Sequence, residues 1–332
     1  MKILIDAMGG DNAPVSTIKG CALALKKRDD LNLIVVGPID QIKPMLEKEG
    51  ADLSRVELID AQEVVLNSDH PASFLKQKPN SSLAVCFETL RKRDDVDGLL
   101  SAGPTGAVLT GAVLRIGRLE NVNRPCLIAT LPTEAGTMVR VLDCGANMDS
   151  KPEYLLQFAL MGNAYLKLLG IETPRIGLLN VGSEDGKGNE LTKAASALLK
   201  EADLNFIGNI EGDHVLTGEA DAVICDGFAG NVFLKSTEEA CMFVASLFKK
   251  AVAGSFFRKI GALFQLKGLK EAKKPFEAAK KGCAPLLGTK KLVVKTHGKS
   301  NEETFMFSIL ETASYAEHRL IEKISEAIQT KA

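Results

Sequence analysis

KILIDAMGGDNAP, residues 2–14, begins as a run of β-type residues that breaks off at Asp6 and continues into Gly9, Gly10, Asp11, Asn12 and Pro14. A tight hairpin turn needs only about two residues, typically Asn-Gly or Asp-Gly. Here two carboxylates, two glycines and an amide crowd behind a single strand. Glycine has no Cβ, so it lets loop N–H groups come close to a bound molecule. The stretch predicts a strand whose carboxyl end is shaped around a ligand.

The same pattern recurs along the chain. Short apolar runs lie at 3–5, 33–36, 56–59, 98–100, 127–130, 139–142, 176–179, 206–207, 222–225 and 292–294. Helix-period segments lie between them, among them 16–27, 82–93, 152–169, 189–199 and 229–250. Strands that alternate with helices predict an α/β fold with a mostly parallel sheet. Strands that are apolar throughout agree, because a parallel sheet is buried on both faces. No repeat, low-complexity tract or Pro/Ser linker interrupts the pattern, so residues 1–332 read as a single α/β unit, with two lobes around a cleft as the alternative.

Bulk properties exclude several classes. The net charge of −1 over 332 residues argues against a nucleic-acid binder. No apolar run is long enough to span a bilayer, and the first strand starts too soon after Met1 for a targeting segment. Seven widely spaced cysteines without a C-x-x-C pair predict a reducing, cytoplasmic setting and no disulfide framework.

Ligands of such folds bind beyond the carboxyl ends of the strands. Five glycine-rich tips are expected to converge there on one rim. They carry Asp6, Gly9, Gly10, Asp11 and Asn12; Ser101, Gly103, Thr105 and Gly106; Asp143 and Asn147; Asn180, Gly182, Glu184, Lys187, Gly188 and Asn189; and Asp226, Gly227, Gly230 and Asn231. The tip at 101–106 has Pro104 where a helix would begin and could hold a phosphate. An ordinary strand-to-helix turn would use the same residues. The loop at 182–189 is not a P-loop, because only three residues separate Gly182 from Gly186 and Gly188 replaces the Ser or Thr. Lys187 could neutralise an anion as a point charge.

Signatures of covalent catalysis are missing. There is no G-x-S-x-G elbow, and none of the four histidines starts an H-x-x-x-x-D motif. Cys144, beside Asp143, could be a thiol nucleophile, but a buried inert cysteine is the default. No metal-ligand cluster is visible, so Asp6 and Asp11 are expected to cap amides or bind a polar ligand, with no metal or cofactor.

One segment stands apart. SFFRKIGALFQLKGLKEAKK, residues 255–274, gathers Phe256, Phe257, Leu263, Phe264 and Leu266 mostly on one helical face, with Arg258, Lys259, Lys267 and Lys270 among its basic residues. A basic amphipathic helix can lie on an anionic membrane or grip an acidic partner. A core helix with a solvated basic face is the alternative.

DAMGGDNAP at 6–14, SAGPTGA at 101–107, DCGAN at 143–147, the N-x-G-x-E-x-x-K-G-N-E pattern at 180–190, DGFAGNVFLK at 226–235 and KTHGKS at 295–300 together resemble the PlsX family of bacterial acyl-ACP:phosphate acyltransferases. The resemblance is in order and spans nearly the whole chain. It implies a Rossmann-like three-layer α/β/α sandwich, similar in architecture to phosphotransacetylases and isocitrate-type dehydrogenases. It also implies a homodimer working at the inner face of the cell membrane. The implied reaction joins inorganic phosphate to a long acyl chain delivered by acyl carrier protein, and a membrane glycerol-3-phosphate acyltransferase would consume the product. On the matching positions Lys187, Asn231, Lys235 and His297 become catalytic candidates and the other tip residues substrate and phosphate ligands. The basic residues of 255–274 and 280–299 become a face for the acidic carrier. Alternatives from other classes are a phosphotransacetylase using short acyl-CoA, a nicotinamide-linked dehydrogenase and a non-catalytic membrane scaffold.

Overall fold

Eleven strands form one sheet in the computed structural model, which describes residues 1–253, 268 and 282–329. The segment 255–274 lies outside the described residues, Gly268 excepted, and with it the predicted membrane face and that part of the carrier face. In chain order the strands are β1 (Lys2–Asp6), β2 (Asn32–Gly37), β3 (Val56–Asp60), β4 (Gly98–Ser101), β5 (Cys126–Pro132) and β6 (Met138–Leu142). They continue with β7 (Ile176–Asn180), β8 (Phe206–Glu211), β9 (Ala222–Ile224), β10 (Ala284–Leu287) and β11 (Val293–Lys295). The longer helices are α1 (Val15–Lys27), α2 (Ile39–Lys48), α4 (Ser82–Lys92), α6 (Pro152–Leu168), α7 (Glu190–Glu201), α8 (Gly227–Ala253), α9 (Glu302–Glu317) and α10 (Leu320–Gln329). The short helices α3 (Phe74–Gln77) and α5 (Thr105–Gly111) join them, with a 3-10 turn at Leu53–Arg55 and a π-helical turn at Ala112–Ile116.

The α/β expectation holds. Successive residues of β1 point to opposite faces, Ile3 and Ile5 into one core and Leu4 into another. Both faces are therefore apolar and both are covered, as the continuous apolar runs predict. On one side α1 and α9 pack so closely that a Cβ on Gly20 would lie 2.6 Å from Cβ of Phe305. On the other side α4 buries Leu83, Phe87 and Leu90. Each such side chain contributes about 1.5–3 kcal/mol when fully buried.

The sheet is mostly parallel, as expected, but not in a single sense. The order is β3-β2-β1-β4-β11-β10-β5-β6-β9-β7-β8. The block β3, β2, β1, β4, β11 is parallel throughout, and so is the block β6, β9, β7, β8. Between them β10 is antiparallel to both β11 and β5, and β5 is antiparallel to β6. Three reversals leave the two blocks running in opposite senses. Two of them follow from loop length: the loops joining β5 to β6 and β10 to β11 are too short for the helical crossover that parallel neighbours need. The five tips therefore do not share one rim. Those of β1 and β4 do, joined by β11, while those of β6, β7 and β9 emerge at the opposite end of the strands.

Among the described residues no helix is long and apolar enough to cross a membrane.

Candidate active site

The carboxyl ends of β1, β4 and β11 lie side by side. Ile5 is in register with Leu100, and Ser101 with Lys295, so Asp6, Ser101 and Lys295 follow one another across three strands. Asp6 is fully buried. Its carboxylate accepts from Ser82 Oγ at 2.6 Å, Ser101 Oγ at 2.7 Å and the Met8 N–H at 3.3 Å. Burial pushes its pKa above the ordinary carboxylate value, and those hydrogen bonds oppose the rise. Asp6 thus ties β1 to β4 and to the first turn of α4.

The loop after Asp6 is folded back on this brace. A Cβ on Gly9 would come within 2.5 Å of Asp6 Oδ2 and 2.7 Å of the Gly103 nitrogen, so no other residue fits. Gly10 sits at φ +100°, in the region that favours glycine. Beyond it the loop is strapped to the segment following β11. The Asp11 N–H donates to the Gly298 carbonyl at 2.7 Å, and Asn12 Nδ2 donates to the carbonyls of Lys299 and Ser300 at 3.3 and 3.2 Å. His297 accepts at Nδ1 from the Lys299 N–H at 3.3 Å, which leaves the proton of a neutral ring on Nε2.

These loops form one end of a cleft of about 2040 Å³. Gly10, Asp11, Gly103, Thr105, Gly106, Lys295 and His297 line that end. From there the cleft runs beside α8, which contributes residues from Asn231 to Val252. At a helical rise of about 1.5 Å per residue that wall is ~30 Å long. Opposite it stand Leu127, Ile128, Leu131 and Met138 of the β5–β6 hairpin. The lining is mainly hydrocarbon, with Lys235, Glu238, Lys249 and Lys299 along its polar margins.

Of the residues singled out in the sequence, Gly10, Asp11, Gly103, Thr105, Gly106, Asn231, Lys235 and His297 line this cleft. Asp6, Gly9, Asn12 and Ser101 lie behind or beside the rim and hold it in shape. The remainder belong to the other end of the strands. Asp143 is buried and accepts from the N–H groups of Leu127, Ala146 and Asn147 and from Asn147 Nδ2. Asp226 caps α8 by accepting from the Ala229 N–H at 2.7 Å, and Gly227 donates to the Asn147 carbonyl at 2.8 Å. Gly230 lies against the Asp143 carbonyl. The loop after β7 closes on itself: Asn180 Nδ2 donates to the Lys187 carbonyl, Lys187 Nζ lies 3.7 Å from Glu184 Oε1, and Asn189 caps α7. Gly182 and Gly188 make room for these contacts. None of 180–189 lines the cleft.

Of the cations that line it, Arg140 and Lys249 were not singled out in the sequence, and Lys295 and Lys299 entered only among the basic residues of 280–299. Lys295 is the charged residue that ends a buried strand, as Asp6 does, and that shared position was the available signal. Arg140 gave none, being a polar residue within the run 139–142. Its Nη1 donates to the Met138 carbonyl, and its buried Nε has no partner.

Cys144 touches the cleft but is buried, and burial together with the neighbouring Asp143 pushes its thiol well above the ordinary range. It is an inert thiol. Native alkylation by iodoacetamide near neutral pH is expected to label the half-buried Cys241 at least about tenfold faster than Cys144. Peptide mass spectrometry reads this directly, and rapid Cys144 labelling would reinstate it as a nucleophile.

The model of the family described as Fatty acid synthesis protein matches residues 1–323. The chain belongs to that family. Relatives across most of the chain bear the name phosphate acyltransferase, among them one from Brevibacillus brevis and one from Clostridium acetobutylicum. That of Brevibacillus brevis is 43% identical over 330 residues, covering 99% of this chain and 98% of its own. That of Clostridium acetobutylicum is 42% identical over 330 residues, covering 99% of each. The protein is accordingly an enzyme of the acyltransferase class. Among solved structures, a phosphotransacetylase from Streptococcus pyogenes superposes with a TM-score of 0.63 at 16% identity, over 97% of this chain and 94% of that one. This likeness establishes a shared fold.

Proposed function

We propose that the protein transfers a long acyl chain from the thioester of acyl carrier protein to inorganic phosphate, giving acyl phosphate and the free carrier thiol. The observation that carries this reading is the joining of a long apolar cleft to a glycine-lined, cationic rim. A palmitoyl-length chain and the carrier's slender arm together need such a wall, whereas an acetyl group would leave most of it wet.

Phosphate supplies its own nucleophilic oxygen at neutral pH. That oxygen attacks the thioester carbonyl carbon, a C–O bond forms, and the tetrahedral oxyanion collapses with cleavage of the C–S bond. The proton of hydrogen phosphate ends on the departing sulfur, so no side chain need be acylated. The protein's part is to hold the reactants in line and stabilise the oxyanion. Gly10, Gly103, Gly106 and Gly298 allow backbone to approach, and His297 offers Nε2–H as a donor. Asn231 and Lys235 stand on the α8 wall, and Lys235, Lys249 and Lys299 give an acidic carrier a complementary margin. The outer face of α8 leaves Phe228, Val232, Phe243 and Leu247 exposed, a surface suited to the homodimer in this reading. Release of a greasy acyl phosphate at a membrane surface, to a glycerol-3-phosphate acyltransferase, completes it.

The test is product formation from palmitoyl-carrier, palmitoyl-CoA and acetyl-CoA, each with and without phosphate. Phosphate-dependent release of carrier thiol, with acetyl-CoA at least about a hundredfold poorer, is expected, since each unburied methylene forfeits about 0.8 kcal/mol. Preference for acetyl-CoA would favour the short-chain phosphotransacetylase instead.

A further inference from the structure

Lys295 closes β11 in line with Ser101 and Asp6 and faces the cleft. Its ammonium donates to the Thr296 carbonyl at 2.7 Å. Among the described residues no carboxylate lies within ion-pair distance of it. Lys291, on the strand's other end, differs: it donates to the carbonyls of Leu90 and Arg93 and to Asp94. A half-buried cation with one carbonyl partner is costly unless an anion joins it. Space for one exists, because Gly10, Gly103, Gly106 and Gly298 present no side chains on that rim.

We propose that Lys295 is the cation that binds the attacking phosphate, in a subsite bounded by the loops at 8–11, 102–106 and 296–299. This rests on the phosphate acyltransferase reading above and adds to it the residue that holds the nucleophile.

Its charge is conditional. Burial lowers the Lys295 pKa to about 8, against the weaker upward pull of Asp11 and Asp6. The titratable groups around it are Asp6, Asp11, His297 and Lys299, with Cys86 behind Asp6 and Lys235 and Glu238 across the cleft on α8. Below about 8 the ammonium is charged and the subsite takes an anion; above it the proton leaves and the attraction goes with it. A bound phosphate opposes that loss by favouring the charged form. Phosphate affinity should therefore weaken on the alkaline side by about tenfold per pH unit, the slope of one linked proton.

The experiment compares wild type, Lys295→Met and Lys295→Arg in steady-state acyl transfer and in titrations with inorganic phosphate followed by calorimetry. Lys295→Met is expected to raise the phosphate KM about thirtyfold, the value of one charge-assisted hydrogen bond, and to leave the acyl-donor KM within about twofold. Lys295→Arg keeps its charge at high pH, so the alkaline loss of phosphate affinity disappears even where the longer side chain weakens binding. A folded Lys295→Met enzyme with unchanged phosphate KM overturns the proposal. If Lys295→Met does not fold, an arginine variant that retains the wild-type alkaline limb overturns it instead. If wild type binds phosphate in calorimetry, Lys295→Met does not, and no acyl donor is used, the subsite stands and the reading of the reaction falls.

Discussion

Gly230→Ala is expected to destabilise the protein by about 3 kcal/mol, toward the top of the range for forcing an extra carbon into a packed site. The new methyl would overlap the Asp143 carbonyl oxygen and lie 2.8 Å from Cys225 Sγ and 3.0 Å from the Asp143 carbonyl carbon. Backbone cannot step aside as a flexible side-chain end can. The Asp143 carboxylate is moreover pinned by three N–H groups and one amide, so the clash spreads to the whole joint between the β6 tip and α8. Activity should fall with stability, since the first turns of α8 carry Asn231 and Lys235. Gly186→Ala is the control: nothing lies within 4 Å of its Cβ, and its cost should stay within about 0.5 kcal/mol. Equal unfolding midpoints in urea for the two variants would refute this account of the joint.

Cys241→Trp is expected to separate long substrates from short ones. Cys241 is half-buried on the cleft wall of α8, a little under halfway from Asn231 to Val252 along its lining stretch. An indole there fills space that a long acyl chain needs and leaves the rim untouched. If four methylenes are displaced at about 0.8 kcal/mol each, kcat/KM for palmitoyl-carrier falls by roughly two hundredfold. Butyryl-carrier, which ends short of the obstruction, should change by less than about threefold, and phosphate KM should not move. Equal losses for both chain lengths would show that the acyl group does not run along α8.

Much of the fold was legible in the sequence because buried parallel strands are written as unbroken apolar runs. The helices 152–169 and 82–93 differ from α6 and α4 by one residue at one end. Strand direction was less legible. The interval between 127–130 and 139–142 is too short for a helix, so one reversal could have been read there. β10 escaped notice because Ala284–Leu287 is four residues long and contains Pro285. Missing it hid the other two reversals, and with them the separation of the tips. Polar strand ends were visible, but their use was not. Asp6 and Asp143 look like ligand-binding carboxylates in sequence, and the fold spends both on its own amides and hydroxyls. Lys295 was read only within KTHGKS and the basic carrier face of 280–299; it stands half-buried in the cleft wall, because only three-dimensional register places it beside Ser101.

The central claim is that phosphate attacks the bound thioester directly. The most direct measurement mixes enzyme with an equal amount of palmitoyl-carrier, quenches within a turnover and counts free carrier thiol. Without phosphate no thiol should appear; with phosphate one equivalent should appear together with acyl phosphate. A stoichiometric burst of thiol in the absence of phosphate, with a palmitoylated peptide recovered from the protein, would contradict the account.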